Sequence, residues 1–210
     1  MDIVLKYFSD FTPQQAAQFA ALEHLYKDWN EKINVISRKD IDSLYEKHVL
    51  HSLSIAASFE FAPGTEIIDL GTGGGFPGIP LAIFFPSISF HLVDSIGKKL
   101  KIVAAIVEET GLTNVTIQHS RIEDIKNRKF DFAVSRAVAP LKDLWHWSKP
   151  LLKTKRISPD APFQNGLICL KGGDLAAEVQ ESGTRPRIMD ISEIFPEPFF
   201  KEKFILYIPR

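Results

Sequence analysis

A glycine-rich segment in the first half of the chain has the composition of a ligand-binding loop. Residues 69–78 read Asp-Leu-Gly-Thr-Gly-Gly-Gly-Phe-Pro-Gly, directly after the short apolar run 66–70. Glycine lets a backbone turn tightly and approach a ligand without an intervening Cβ atom. A helix that begins at Pro77 would direct its free N–H groups toward the same place. Because so many glycines cost backbone entropy without adding packing, we expect this loop to hold a small molecule at the end of a strand.

Two registers of this loop point to two classes of nucleotide-like ligand. The pattern Gly-x-Gly-x-x-Gly over 73–78 matches the dinucleotide fingerprint, which is weak by itself. The pattern Asp-x-Gly-x-Gly-x-Gly over 69–75 matches S-adenosylmethionine-dependent methyltransferases. The second register is favoured because Asp69 would hold an ammonium group and because Pro77 suits a helix start. Asp94, at the end of the next apolar run, would accept both ribose hydroxyls in either register.

The elements that must position this loop alternate between strands and helices. Short apolar runs bounded by turn residues predict strands, and longer segments with apolar residues three and four apart predict helices. This alternation is typical of an α/β fold with a parallel sheet, helices on both faces and ligands beyond the carboxyl ends of the strands. The predicted strands cover 66–70, 89–94, 115–118, 130–135, 166–170 and 204–208, and the predicted helices cover 98–110, 140–153 and 174–181.

The beginning of the chain predicts helices only. The segment 12–15, Thr-Pro-Gln-Gln, combines an N-cap, a proline at the first helical position and a capping-box glutamine. A second helix is predicted to begin near Asp40 and to end before the Pro-Gly turn at 63–64. We therefore divide the chain into an N-terminal helical extension, 1–62, and an α/β domain, 63–210. The first helix carries one apolar stripe formed by Phe19, Leu22, Tyr26 and Trp29.

The composition excludes several classes of protein. The chain has 210 residues, of which 45% are hydrophobic and 24% charged, as in globular proteins with a sizeable core. Its single cysteine excludes a disulfide framework and a cysteine-based zinc site. The longest apolar stretch, 79–85, is too short to cross a bilayer, and the first residues lack the pattern of a secretory signal, so we expect a cytoplasmic protein. Residues 1–97 hold 6 Lys/Arg and 12 Asp/Glu, whereas 98–210 hold 19 and 14, which permits a local phosphate-facing surface.

Several segments together give the chain a specific resemblance. Residues 69–82, Asp-Leu-Gly-Thr-Gly-Gly-Gly-Phe-Pro-Gly-Ile-Pro-Leu-Ala, are similar to the signature of the small-subunit rRNA guanine-N7 methyltransferases, the RsmG (GidB) family. Val-Asp-Ser at 93–95, Ser-Arg-x-Glu at 120–123 and Val-Ser-Arg-Ala at 134–137 follow in the family's order and spacing. The resemblance implies a class I S-adenosylmethionine-dependent methyltransferase fold, Rossmann-like, with a seven-stranded mostly parallel sheet. It also implies methyl transfer to N7 of guanine 527 in 16S rRNA, free or within the small ribosomal subunit.

The resemblance further implies roles for single residues. Gly71 and Phe76 would line the S-adenosylmethionine pocket, and Ile122 and Glu123 would contact the adenosine. Gly73, in the same glycine-rich register, is also expected to bind the cofactor. Arg136, the one residue expected to be catalytic, would reach the site from the end of the fourth strand. From the residues alone, a guanidinium directly after an apolar strand is an unlikely core residue. It would hold the cofactor's carboxylate or an RNA phosphate, or it would pair with a neighbouring acid.

The expected chemistry agrees with what the sequence lacks. Guanine N7 carries an unprotonated lone pair at neutral pH, so its methylation needs alignment and exclusion of water but no general base. Correspondingly, no Ser-His-Asp set and no catalytic carboxylate pair stands out. Cys169 lies in an apolar strand and is interpreted as a buried small hydrophobe. The spacing of His24, His48 and His51 does not match a metal site, so we expect no metal.

Contacts to RNA are expected from the basic second half of the chain. Lys98, Arg121 and Lys171 are the candidates for phosphate contacts. Two features depart from the family: His51 stands where an aspartate is more common, and the segment 154–165 is longer than usual and is predicted to be a mobile surface loop. We expect a monomer. The open alternatives are a methyltransferase with another substrate, a nicotinamide-dependent oxidoreductase and an RNA-binding module without catalysis.

Overall fold

A seven-stranded sheet forms the centre of the computed structural model, which describes residues 1–33, 35–37, 40–155, 158 and 162–210. The predicted seven-stranded, mostly parallel sheet is confirmed, since the first five strands run parallel and only the last pairing partners are antiparallel. The strands are β1 (Glu66–Leu70), β2 (Ser89–Asp94), β3 (Val115–His119), β4 (Phe132–Arg136), β5 (Gly166–Gly172), β6 (Arg187–Asp190) and β7 (Lys203–Pro209).

The strand order creates a crevice at one edge of the sheet. The order is β3-β2-β1-β4-β5-β7-β6, so the chain moves outward from β1 to β3 and then returns to place β4 on the other side of β1. The connections that leave β1 and β4 therefore diverge, and ligands of open α/β sheets bind at such a switch point. Because β7 is antiparallel to β5, its first residue lies at the same edge, where Lys203 is paired with Gly172. We call this edge the carboxyl edge.

Helices cover the sheet, and the first of the long helices begins as the sequence predicts. Thr12 caps it through a reciprocal capping box, in which the Thr12 hydroxyl accepts a hydrogen bond from the Gln15 N–H and the Gln15 side chain accepts one from the Thr12 N–H. The helices are α1 (Asp2–Leu5), α2 (Pro13–Lys32), α3 (His51–Ser58), α4 (Gly78–Phe84), α5 (Gly97–Thr110), α6 (Leu141–Ser148) and α7 (Ala176–Ser182).

Two buried apolar clusters lie on the two faces of the sheet. Successive side chains of a strand point to opposite faces, so Ile67 belongs to one cluster and Ile68 to the other. The Ile67 cluster includes Phe19 and Leu22 of α2 together with Ile102 of α5. The N-terminal helices therefore share a core with the sheet. In the part of the chain that the structure describes, no helix combines the length and the apolar character needed to cross a membrane.

The structure differs from the predicted elements at four places. The single helix expected from Asp40 onward is a 3-10 turn at Ile41–Ser43, a π-helical turn at Tyr45–Leu50 and then α3. The helix predicted over 140–153 is shorter in the structure, where α6 ends at Ser148 and a 3-10 turn follows at Lys149–Leu151. Neither β6 nor α1 was predicted. Residues 156, 157 and 159–161 of the loop predicted at 154–165 lie outside the described residues.

Candidate functional site

A cavity of about 990 Å³ opens at the carboxyl edge, above the crevice between β1 and β4. Its wall is formed by the glycine loop after β1 and by the segments that follow β2, β3, β4 and β5. The N-terminal helices close one side. The wall includes all but one of the residues predicted to bind the cofactor, namely Gly71, Gly73, Phe76, Asp94, Ile122, Glu123 and Arg136.

The glycine loop turns beneath this cavity with Gly71, Gly73 and Gly75 at positive φ. Gly71 has φ +67°, and a Cβ atom built there would lie 2.8 Å from both methyl groups of Val138. Gly73 has φ +59°, and among the residues that the structure describes a Cβ atom there would have only the Gly71 carbonyl oxygen within 4.0 Å. A larger residue at position 71 would therefore clash with Val138. At position 73 a side chain would instead occupy open space in the cavity. That is the space expected for a ligand that approaches the backbone closely.

Asp69 lies beneath the loop instead of in the cavity wall. The residue is completely buried, and its Oδ2 accepts hydrogen bonds from the Thr72 hydroxyl at 2.6 Å and from the Gly78 N–H at 2.9 Å. Burial raises the pKa of this carboxyl to about 7, against the opposing effect of the two hydrogen bonds. The predicted contact with a ligand ammonium group is corrected here, because this carboxyl instead fixes the loop and the start of α4.

Asp94 is placed as predicted, at the end of β2 and in the cavity wall. Its Oδ2 accepts a hydrogen bond from the Gly73 N–H at 2.8 Å, and its Oδ1 accepts one from the Ile96 N–H at 2.8 Å. Each carboxylate oxygen can accept a second hydrogen bond. The side chain thus connects the glycine loop to the β2 end and still has acceptor capacity for hydroxyl groups of a ligand.

Arg136 lines the cavity and lies over an aromatic ring. Its guanidinium carbon lies 4.9 Å from the centre of the Phe76 ring. The Tyr26 ring is stacked on Phe76 at 4.8 Å with an interplanar angle of 27°. Tyr26 also donates a hydrogen bond from its hydroxyl to the Gly74 carbonyl at 2.6 Å. Helix α2 therefore supports both the glycine loop and the face on which Arg136 rests.

The π-helical turn Tyr45–Leu50 holds the end of Arg136. Arg136 donates from Nη2 to Nδ1 of His48 at 2.8 Å and from Nη1 to the Lys47 carbonyl at 3.2 Å. Since a guanidinium only donates, Nδ1 of His48 must accept, and a neutral ring then carries its proton on Nε2. Burial, followed by the charge of Arg136, lowers the pKa of His48 to about 3. Burial lowers the pKa of Arg136 to about 10, so at neutral pH a charged arginine faces a neutral histidine.

The remaining predicted residues differ in whether they line the cavity and in whether they are paired within the protein. Ile122 and Glu123 lie in a 3-10 turn after β3 and line the cavity with Arg121. Lys98 is exposed on α5 and does not line the cavity. Lys171 lines it but donates to Glu178 and to the Ala139 carbonyl, both at 2.6 Å. These two hydrogen bonds leave one donor of the ammonium group, so a contact between Lys171 and a phosphate stays a prediction.

Sequence reasoning missed several residues that complete the site. The sequence places Tyr26 in an apolar stripe and predicts no role for His48, but both support Arg136 from elements far away in the chain. Lys203 lines the cavity from β7 and was not singled out. Cys169 is buried in β5, as predicted, and burial raises the pKa of its thiol to about 12. Among the residues described, no group of three His, Cys, Asp or Glu side chains could hold a metal ion.

Comparison with known proteins identifies the family. Residues 15–192 match the sequence profile of the family described as "rRNA small subunit methyltransferase G", GidB. The "Ribosomal RNA small subunit methyltransferase G" of Phocaeicola vulgatus is 56% identical over 208 residues, which cover 99% of this chain and 98% of that protein. The chain belongs to this family. The family member of Cytophaga hutchinsonii is 49% identical over 209 residues, covering 100% of this chain and 99% of that protein.

Solved structures share the fold of this family member at low sequence identity. A SAM-dependent methyltransferase from Aquifex aeolicus has a TM-score of 0.57 at 18% identity, covering 79% of this chain and 92% of that one. A point mutant of MtNAS in complex with S-adenosylmethionine has a TM-score of 0.59 at 14% identity, covering 93% of this chain and 76% of that one. These likenesses confirm the class I, Rossmann-like methyltransferase fold predicted from the sequence.

Proposed function

We propose that this protein transfers a methyl group from S-adenosylmethionine to N7 of guanine 527 in 16S rRNA, and that it acts in the cytoplasm. The observation that carries the proposal is the open space at Gly73, inside a cavity whose wall unites the ends of β1 to β4. Membership of the family described as rRNA small subunit methyltransferase G supports the substrate class.

The cavity wall fits S-adenosylmethionine by its donor set and its shape. Gly73 leaves room for a ligand beside the backbone, and Asp94 next to it has free acceptor capacity for ribose hydroxyls. Ile122 offers an apolar surface for a flat purine, and Glu123 beside it an acceptor for amino hydrogens. Arg136 offers a charged donor from the end of β4. The wall thus offers binding groups both for the nucleoside and for the amino-acid part of such a ligand.

When bound, S-adenosylmethionine supplies an electrophilic methyl group on a sulfonium centre. The residues of this chain then have to align the target base and to exclude water, because N7 of guanine has a free lone pair and no proton to remove. Phe76 and Ile122, both buried, cover two sides of the site. Arg136 is held in place by His48 and Phe76 before any ligand enters. Its role is to bind and orient, since the base itself becomes positively charged in the reaction.

The target must be an accessible guanine. N7 lies in the deep and narrow groove of A-form RNA, which side chains cannot reach. Enzymes that act on a base therefore take it from a single-stranded segment or extrude it from the stack into a pocket. The cavity is open at the carboxyl edge, where the exposed Arg121 lies on its rim, so a base displaced from an rRNA loop can enter it.

The test uses rRNA and small subunits from a strain that lacks the gene. Purified protein is incubated with methyl-labelled S-adenosylmethionine and either free 16S rRNA or intact small subunits, and N7-methylguanine is mapped by chemical cleavage. We expect one labelled guanine, at position 527, in at least one of the two substrates. Label at another position or on no rRNA would refute the proposed substrate. Tight RNA binding without transfer would favour the RNA-binding module that has lost catalysis.

A further inference from the structure

The cavity has two halves that differ in their charges. Taken along the sheet order, the half above β1, β2 and β3 carries the residues assigned to the cofactor, including the acids Asp94 and Glu123. The other half lies above the end of β5 and the start of β7 and is closed by α3. It carries Lys203 and His51 in its wall, and neither residue has a role in the proposed cofactor site.

Two polar groups in this second half lack a partner. His51 is 7% exposed, and its Nε2 has no hydrogen-bond partner among the described residues. The Lys203 ammonium lies over Gly172 and, within the described ranges, forms no ion pair or hydrogen bond with a side chain. Both groups contact one ring, since the Phe199 centre is 5.8 Å from the centre of the His51 ring and 5.6 Å from the Lys203 ammonium. They therefore belong to one place in the cavity.

The surroundings of this place are positive. Burial lowers the pKa of His51 well below its usual value, and the charges of Arg136 and Lys203 lower it further. The acid of this half, Glu178, is occupied by Lys171. A partly buried charge without a counter-ion is unfavourable, because the Lys203 ammonium has lost part of its hydration and has gained no ion pair in return. Such an arrangement becomes favourable when an anion enters.

We propose that Lys203 forms a subsite for a phosphodiester group of the RNA strand that carries the target guanine. The inference rests on the proposed function, and it names which part of the substrate this half of the cavity holds. A nucleotide that is turned out of its stack brings its own phosphates toward the pocket, and phosphates are the charged groups of RNA. A phosphate oxygen would accept a hydrogen bond from the Lys203 ammonium. The neutral His51 ring beside it does not bind the phosphate, because it donates from Nδ1 to the Lys47 carbonyl and its buried Nε2 carries a lone pair. The base itself, directed at the cofactor half, would remain free to present N7.

The experiment compares Lys203→Met with Lys201→Met. Lys201 is exposed in the turn just before β7 and does not line the cavity, so it is a control for the loss of one positive charge. Binding of small subunits, or of an RNA fragment with the target guanine, is titrated at several salt concentrations. We expect Lys203→Met to weaken RNA binding at least fivefold and to reduce the slope of log K against log salt by about 0.7, the value for one lost phosphate contact on a single strand. The effect should appear in KM, with kcat and the affinity for S-adenosylmethionine preserved.

His51→Leu is a second control, which separates the Lys203 charge from the packing around it. The neutral His51 ring contacts Phe199, as Lys203 does, but does not donate to the phosphate, so this variant should bind RNA as tightly as the wild type. A loss of RNA affinity as large as that of Lys203→Met would show that the packing of this half of the cavity, and not the Lys203 charge, binds the strand.

Three further outcomes of these experiments bear on the subsite. Equal effects of Lys203→Met and Lys201→Met would refute the subsite, because they would reflect general surface charge. Weaker binding of S-adenosylmethionine in Lys203→Met would refute it as well, since Lys203 would then hold the cofactor. If the wild type transfers no methyl group but its RNA affinity still depends on Lys203, the proposed function fails and the subsite stands.

Discussion

A substitution at Gly73 tests directly whether the glycine loop binds the cofactor. The φ of Gly73 is +59°, and a Cβ atom there would point into open cavity. Gly183, at the end of α7, has a similar φ of +62°, and a Cβ atom there would have no described residue within 4 Å. Replacing each glycine by alanine therefore imposes the same backbone strain at two places. Only one of the two methyl groups lies where the cofactor is expected.

The strain sets the expected change in stability, and the position sets the change in affinity. A non-glycine residue in the left-handed region costs about 1–2 kcal/mol. For a chain of this size, each kcal/mol lowers the melting temperature by about 2–4 °C. Gly73→Ala and Gly183→Ala should therefore melt at similar temperatures, a few degrees below the wild type. Because the added methyl group displaces a closely bound ligand, Gly73→Ala should also bind S-adenosylmethionine at least tenfold more weakly, a loss of about 1.4 kcal/mol or more.

Calorimetric titration with S-adenosylmethionine and thermal melting without it measure the two quantities separately. Gly183→Ala should keep wild-type affinity. The assignment of the loop would be refuted by a Gly73→Ala variant that binds the cofactor as tightly as Gly183→Ala does. Equal losses of affinity in both variants would also contradict it, because the loss would then follow from strain and not from the position in the cavity.

Three further changes test how the site is held together. Tyr26→Phe leaves the buried Gly74 carbonyl without its hydrogen bond and should lower the free energy of unfolding by about 1–3 kcal/mol, measured by urea denaturation. Arg136→Met, which keeps a side chain over Phe76, should reduce kcat/KM at least tenfold with a much smaller change in melting temperature; equal losses would indicate a structural role. Asp69 has a pKa of about 7 in the folded chain against an ordinary value of 3.8, so the folded state binds the extra proton and stability should fall as the pH rises from about 4 to 7. Asp69→Asn should flatten that part of the profile, which urea midpoints at several pH values would show.

The central strands could be predicted from the sequence because their signal is local. The runs 66–70 and 89–94 are apolar, short and bounded by turn residues, and the structure has both strands at those positions. The four-residue β6 gives no such signal. It lies at the edge of the sheet, pairs only with β7, and Arg187 and Ile188 in it are exposed. Its existence depends on a pairing with a distant strand, which no local pattern records.

The position of Gly73 and Asp94 at one edge of the sheet could also be predicted, and the support of Arg136 could not. Asp94 is the last residue of β2, Gly73 lies in the loop after β1, and the strand ends of a parallel sheet meet at one edge. The contact between Arg136 and His48 joins residues 88 positions apart. It also depends on the π-helical turn, since Lys47 and His48 both reach Arg136 from it. The apolar residues of this segment follow the 3.6-residue period of an α-helix, so the sequence predicts an α-helix and not the π-helical turn.

Two carboxyl groups near the glycine loop hold its backbone in the conformation that forms one wall of the cavity. Asp69 holds the loop from below through Thr72 and Gly78, and Asp94 holds it from the side through the Gly73 N–H. Each hydrogen bond fixes backbone that would otherwise be ordered only by the ligand, so the loss of conformational entropy belongs to folding and not to binding. The stack of Tyr26 on Phe76 does the same for Arg136. Substitutions beneath the loop should therefore weaken cofactor binding without touching the cofactor.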